Sequence, residues 1–307
     1  MTGAMAPTSR SFPSHVDFMT IGECLKHGTA LLASAGIADP GREAVWLLEA
    51  VLGMSSLTLQ LNRALPLSDG EVSAAMAFFE RRASREPLQY VLGTQEFCGL
   101  EFVVGPEVLI PRPETELLVQ FVEEQVKNHA SPRIADIGTG SGCIAVTLAH
   151  RLPSAHVYAT ELSHAALALA AENARRHGVS DRIVWLNGDL TEPLQSMDLE
   201  GRFAAIVSNP PYIRDADFST LQPEVGLFEP RLALAGGPDG LDHHRRLLHD
   251  AFPYLQPGGW LIVEVGRGQT ESFRHLAETR GNHYNIRIIP DEAGIDRVIG
   301  VQKHRTA

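Results

Sequence analysis

Cysteine is scarce in this chain of 307 residues: Cys24, Cys98 and Cys143 are an odd three, far apart, with no Cys-x-x-Cys pair. A disulfide framework or zinc knuckle is therefore not expected. No stretch approaches the ~20 apolar residues that a bilayer span requires. The first fourteen residues, Met1 to Ser14, lack the apolar core of a secretory signal. A soluble, reduced, cytoplasmic protein is the expectation. Cations are also short, with 26 Lys and Arg against 37 Asp and Glu, for a net charge of −11 with histidine neutral. A surface that tracks phosphates needs clustered Lys and Arg. Only two short basic runs occur, Arg81-Arg82 with Arg85 and Arg175-Arg176-His177. Blocks of five or more like charges would mark an interaction segment, so both runs read as solvated helix ends placed to suit the dipole. Direct nucleic-acid binding and membrane association are not expected. The 13 histidines include no His-Glu-x-x-His, which removes the usual zinc signature, and no Gly-x-Ser-x-Gly elbow appears.

What is present suits a globular protein: 44% of residues are hydrophobic and 21% charged, and the length suggests two domains. Residues 1–15 read as a loose tail. From Phe18 to about Ser84 the spacing is helical. A first helix carries Leu25, Leu31 and Leu32 and stops near Gly36; Asp39-Pro40 starts a second that ends at Gly53. Ser68 opens a third, long helix. The region 1–88, with seven Lys/Arg and nine Asp/Glu, is expected to be a small helical bundle of net charge −2. Residues 89–113 change character: Gly93, Gly99 and Gly105 punctuate Phe97, Phe102, Val104, Val108 and Ile110, which suggests a β-hairpin linker. Helical spacing resumes from Glu114 to Lys127.

Residues 114–307 then alternate. Short apolar runs at 134–137, 156–160, 183–186, 203–207 and 260–265 read as strands; helices are expected at 143–152, 165–177, 241–255 and 270–280. Tyr284–Ile289 and Asp296–Val301 could close the sheet as an antiparallel pair. The alternation predicts an α/β fold with a mostly parallel, doubly wound, Rossmann-like sheet and ligands at the carboxyl ends of its strands.

Asp136-Ile137-Gly138-Thr139-Gly140-Ser141-Gly142 falls on the turn after the first of these strands. Glycines allow a tight turn and a close approach of backbone to ligand. A Gly-rich turn can be no more than a strand-to-helix connection, but Glu161 ends the second strand, where a carboxylate can accept both hydroxyls of a ribose. The spacing Gly138-x-Gly140-x-Gly142 departs from the G-x-G-x-x-G of nicotinamide binders. It resembles the first motif of class I S-adenosylmethionine-dependent methyltransferases. The resemblance implies that Gly138, Thr139, Gly140, Ser141 and Gly142 cradle the amino-acid end of S-adenosylmethionine and that Glu161 binds its ribose. It also implies that Asp189 or Leu190, after the third strand, flanks the adenine; Asp189 could equally be a turn residue.

Asn209-Pro210-Pro211-Tyr212 directly follows the fourth strand. Two successive prolines stiffen the chain, so Asn209 is held at a strand end. Its amide offers an acceptor and donors, and Tyr212 an aromatic face. This tetrapeptide is shared by methyltransferases that act on planar amino groups. Elsewhere, Arg85-Glu86-Pro87-Leu88-Gln89-Tyr90, Leu109-Ile110-Pro111-Arg112-Pro113-Glu114-Thr115-Glu116, Phe228-Glu229-Pro230-Arg231 and Gly236-Gly237-x-Asp239-Gly240 are similar to the peptide chain release factor glutamine methyltransferases.

That resemblance covers nearly the whole chain. It implies methyl transfer from S-adenosylmethionine to the side-chain nitrogen of the glutamine in a release factor's Gly-Gly-Gln motif. The helical domain would grip the factor, and a monomer is expected. Asn209, Pro210 and Tyr212 are the expected catalytic residues: the Asn209 oxygen and Pro210 carbonyl would accept the two amide protons, with Tyr212 against the amide plane. Asn209 and Pro211 would also contribute to the binding sites. Competing readings are a ribosomal-protein glutamine or a nucleic-acid base as acceptor, a nicotinamide-dependent oxidoreductase, and a silent scaffold. Arg112 and Glu116, four apart, could simply pair across a helix start.

Overall fold

A computed structural model describes residues 19–279 and 285–304. The tail 1–15, Phe18, Arg280 and Tyr284 fall outside the described residues. The chain divides into two compact units, the first ending at Leu92 and the second starting at Gly93.

The first unit is helical: α1 (Ile21–Ser34), α2 (Pro40–Leu52), α3 (Ser56–Leu61), α4 (Asp69–Ala83) and α5 (Leu88–Leu92). Capping chemistry sets the boundaries. Asp39 accepts from the Arg42 N–H ahead of Pro40, and Gly53 closes α2 in the left-handed conformation. Thr20 and Ser68 each make a reciprocal capping box with the glutamate three residues on. Leu25, Leu32, Leu47, Leu48 and Phe79 form the interior. Of the first basic run, Arg82 is not solvated. It is buried and bridges to Glu43 at 2.6 Å, because the last turn of α4 packs against α2. The second run does lie on the surface, where Arg175 and Arg176 both reach Glu172.

The second unit begins with a hairpin, β1 (Thr94–Phe97) and β2 (Leu100–Val103), turning at Cys98-Gly99. The sequence boundaries at 88 and 113 therefore differ from the physical one. Residues 88–92 are helical, and the hairpin buries Phe97 and Phe102 in the core of the second unit. The alternation comprises α6 (Glu116–Val126), β3 (Arg133–Ile137), α7 (Cys143–Arg151), β4 (His156–Glu161), α8 (His164–Arg176), β5 (Ile183–Asn187), β6 (Phe203–Ser208), α9 (Asp242–Asp250), β7 (Leu255–Glu264), α10 (Thr270–Thr279), β8 (Asn285–Pro290) and β9 (Asp296–Gln302). Seven strands order as β5-β4-β3-β6-β7-β9-β8. Pairing is parallel from β5 to β7, and β9 and β8 complete the sheet antiparallel.

Side chains alternate between two apolar layers, as the period of a strand requires. Ile134, Val157, Val207 and Ile262 face one layer with residues of α6, α7 and α8, whereas Ala135, Ile137, Ile206 and Leu261 face the other with residues of α9 and α10. A polar tie fixes the hairpin to this frame. Asn173 of α8 is fully buried; its Oδ1 accepts from the Val103 N–H at 2.8 Å, and its Nδ2 donates to the carbonyls of Val103 (3.1 Å) and Ser141 (2.9 Å). Asn173→Leu keeps the volume but strands one donor and two acceptors. Urea unfolding should show a loss of about 2–4 kcal/mol; a loss below about 0.5 kcal/mol would contradict this reading of the tie.

Candidate active site

Because β4, β3 and β6 run parallel, their carboxyl ends stand side by side: Ile137 pairs with Thr160, and Asp136 with Val207. The residues that follow these strands line a cleft enclosing about 1070 Å³, its open mouth included. Gly138 and Gly140 have φ of +73° and +56°, and nothing stands within 4 Å of where a Cβ would project from either. The loop thus presents bare backbone to the cleft. It is anchored from beneath by the Gly138 and Thr139 N–H groups, both donating to the Thr160 carbonyl at 2.9 Å.

Two carboxylates hold the same loop. Asp136 is fully buried; its Oδ2 accepts from the Thr139 hydroxyl (2.6 Å) and the Ala145 N–H (3.1 Å). Burial pushes its carboxyl up to about 7, opposed by those two hydrogen bonds, with the neighbouring Glu161 adding to the rise. Glu161 reaches across from β4, its Oε2 accepting from the Gly140 N–H at 3.0 Å and its Oε1 from the Ser163 N–H at 2.9 Å. Carboxylate oxygens have further lone pairs, so Glu161 can still accept from hydroxyls in the cleft it lines.

Asn209 follows β6 with its amide fixed at one end. Its Nδ2 donates to the Thr115 hydroxyl at 3.1 Å, and no described residue donates to its Oδ1. Thr115, at the start of α6, donates in turn to Glu264 Oε2 at 2.7 Å, and the Tyr212 hydroxyl donates to Glu264 Oε1 at 3.1 Å. Glu264 ends β7 fully buried, which raises its carboxyl above the usual range against the pull of Thr115, Tyr212 and Arg297. Burial, and then the Glu264 charge, raise the Tyr212 phenol. Tyr212 is thus turned toward Glu264, and it is not among the residues that line the cleft. Its backbone is clasped: the Gln269 amide donates to its carbonyl at 2.9 Å. A Cβ at Gly236 would fall 2.7 Å from the Tyr212 Cα, so only glycine lets that loop pack here.

Opposite the strands, Arg112 pairs with the buried Glu229 at 2.5 Å, joining two motifs 117 residues apart. Burial raises the Glu229 carboxyl, and the Arg112 charge partly restores it. Arg112 therefore does not pair with Glu116, whose carboxylate accepts from the Cys98 N–H at 2.8 Å. Pro111, Arg112, Pro230 and Leu232 form this wall of the cleft.

Most residues singled out from the sequence converge. Gly138, Thr139, Gly140, Ser141, Glu161, Asp189, Leu190, Asn209, Pro210 and Pro211 line the cleft, whereas Gly142 and Tyr212 are not among its lining residues. Asp189 bridges to Arg246 of α9 at 2.9 Å. Thr115, Glu229, His243 and Glu264 were not singled out as site residues, and no local spacing marks them. His243 also lines the cleft, its imidazole held below its usual range by burial and then by Arg246. Cys98 and Cys143 are buried in the core with thiols pushed up to about 12, so neither is a nucleophile. Among the described residues, no group of three or more His, Cys, Asp and Glu is placed to hold a metal ion.

The buried Asp136 makes a pH prediction. Its folded carboxyl titrates near 7 and its unfolded one near 3.8, so between these values the folded state holds a proton the unfolded state has released. The stability contributed by Asp136 is greatest below about pH 4 and falls as pH rises toward about 7. Relative to the parent, Asp136→Asn should gain unfolding free energy as pH rises from about 4 to about 7. Urea titrations at several pH values measure this, and a pH-independent difference would refute it.

Over about three quarters of its length the chain shares its fold with solved methyltransferases of low sequence identity. The hMettl16 catalytic domain in complex with a MAT2A 3′UTR hairpin superposes with TM-score 0.55 at 19% identity, covering 76% of this chain and 82% of that one. A methyltransferase from Pyrococcus furiosus gives 0.50 at 20% identity, with 73% and 98% covered. Family models match at residues 23–93 (PrmC N-terminal domain) and 113–223 (methyltransferase small domain). Curated relatives are far nearer. The release factor glutamine methyltransferase of Geobacter sulfurreducens is 47% identical over 92% of this chain and 97% of its own length. That of Moorella thermoacetica is 44% identical over 91% and 97%. With relatives so similar over almost their entire lengths, the chain belongs to the release factor glutamine methyltransferase family.

Proposed function

We propose that this chain transfers a methyl group from S-adenosylmethionine to the side-chain amide nitrogen of the glutamine in the Gly-Gly-Gln motif of a peptide chain release factor. The observation that carries the reading is the one-sided anchoring of Asn209. One N–H of its amide nitrogen is committed to Thr115 and its Oδ1 takes no proton from a described residue, which leaves an acceptor at the cleft, suited to the N–H of a primary amide. The Pro210 carbonyl provides a second acceptor on a rigid backbone. Family membership, with the names its relatives carry, supports the same acceptor.

The residues present fit the cofactor. Bare backbone at Gly138 and Gly140 leaves room for its amino-acid end, Glu161 has lone pairs for ribose hydroxyls, and Leu162 and Leu190 give apolar walls. Once bound, S-adenosylmethionine supplies an electrophilic methyl carbon on a positively charged sulfur. The protein's task is orientation, because an amide nitrogen is a poor nucleophile whose lone pair is delocalised into its carbonyl. Two acceptors on the amide protons fix the nitrogen in line with that carbon. Those bonds strengthen as positive charge grows on nitrogen, which favours the transition state over the ground state. Tyr212 assists by anchoring the backbone and Glu264 rather than by covering the amide plane. One chain carries both halves of the cleft, which supports a monomer, and a release factor substrate supports a cytoplasmic reaction. The helical unit is assigned the grip on the factor.

Tritiated cofactor offered with purified release factor, ribosomal proteins, DNA and RNA tests the acceptor. Label should enter the release factor and vanish when its Gly-Gly-Gln glutamine is replaced. Label on nucleic acid or ribosomal protein, with none on the factor, would overturn the proposal. Two substitutions separate the half-sites. Glu161→Ala should weaken cofactor binding, measured by calorimetry, by about 1.5–3 kcal/mol; unchanged affinity removes Glu161 from the cofactor site. Asn209→Ala should lower turnover on the factor by about 10²-fold with little change in cofactor affinity. Parental turnover in that variant would end the orientation mechanism.

A further inference from the structure

The two ends of an asparagine amide have nearly the same shape, so sterics alone cannot choose which end faces the cleft. Hydrogen bonding can. Glu264 Oε2 takes the Thr115 proton at 2.7 Å while Glu264 Oε1 takes that of Tyr212 at 3.1 Å. A hydroxyl has one proton to give. Committed to Glu264, the Thr115 oxygen can only accept from its other neighbour, and at 3.1 Å that neighbour is Asn209 Nδ2. Thr115 and Glu264 are both buried, so no bulk water relieves the constraint. With the chain reversed, Asn209 would offer an NH2 group to the incoming NH2 group, donor against donor.

We propose that Thr115 and Glu264 are positioning residues that polarise a hydrogen-bond relay and thereby hold the Asn209 Oδ1 toward the acceptor amide. The proposal rests on the acceptor reading above. Glu264 belongs to β7, 149 residues from Thr115, and is not among the residues that line the cleft; Thr115 does line it, and both are assigned an action through Asn209. The relay makes a definite claim about Glu264→Gln. Tyr212 still needs an acceptor, so the glutamine carbonyl stays with Tyr212 and its NH2 turns to Thr115. The Thr115 hydroxyl must then donate to Asn209, and the Asn209 amide flips.

The test uses the full chain with release factor as substrate. Thr115→Val keeps the shape of the side chain and removes the hydroxyl; Thr115→Ser keeps the hydroxyl. Thr115→Val and Glu264→Gln should each lower kcat by at least about tenfold, with KM for the factor and cofactor affinity within about threefold of the parent. Thr115→Ser should restore kcat to within about threefold. In an Asn209→Ala background, Thr115→Val should cost nothing further, because the relay then has nothing to hold. Parental kcat in Thr115→Val, or an equal loss from it in the Asn209→Ala background, would overturn the proposal. A second readout is independent of the acceptor. The Asn209 side-chain NH2 signals, identified by their absence in Asn209→Ala, should show one proton slow to exchange in the parent and in Thr115→Ser, but not in Thr115→Val. Equal protection in all three overturns the relay even if the release factor proves not to be the substrate. A parent enzyme inert on the factor, with the protection pattern intact, would instead sink the acceptor reading alone.

Discussion

The parallel pairing of β3 with β4 on one side and β6 on the other governs where every functional residue of the second unit can stand. From β3 the chain proceeds outward in one direction through β4 and β5, and in the other through β6 and β7. The connections leaving β3 and β6 therefore part, and a crevice opens above their carboxyl ends, as in other doubly wound sheets. Register then does the placing. Thr160 stands beside Ile137, and the Ser208 hydroxyl donates to the Ile137 carbonyl at 2.7 Å. The Gly138–Gly142 loop, Glu161 and Asn209 each begin where these strands stop, which sets a cofactor half beside an acceptor half.

Three buried carboxylates sharpen that placement, each with its desolvation cost partly offset by dedicated partners. Asp136 ties the glycine loop to the start of α7, Glu229 fastens the far wall through Arg112, and Glu264 sets the polarity of the Thr115–Asn209 contact. Fixed groups of this kind need little reorganisation when a reaction occurs, which is the setting in which orientation contributes most to rate.

What is legible in the sequence is what is encoded locally. Helix α2 was legible because Asp39, Pro40 and Gly53 carry its caps within the chain segment itself. The glycine loop and Asn209 were legible because each follows a short apolar strand. Other features depend on distant partners. The strand expected at 260–265 begins earlier, as β7 from Leu255, and α9 stops at Asp250, short of the expected 255 and before Pro253. Arg112 was weighed against Glu116, four residues away, when its partner lies 117 residues on. The Tyr212 hydroxyl donates to Glu264, a partner 52 residues on that no nearby spacing announces. Arg82 looked solvated because the pairing of α4 with α2 is a property of the folded bundle.

The central claim is that the Asn209 oxygen receives the acceptor amide beside the glycine loop. A crystal structure of the chain with S-adenosylhomocysteine and a release factor tests it most directly. The glutamine side-chain nitrogen should lie within hydrogen-bond distance of both Asn209 Oδ1 and the Pro210 carbonyl, with the Asn209 Nδ2 still on Thr115. A glutamine seated elsewhere in the cleft, or held there without contact to Asn209, would contradict it.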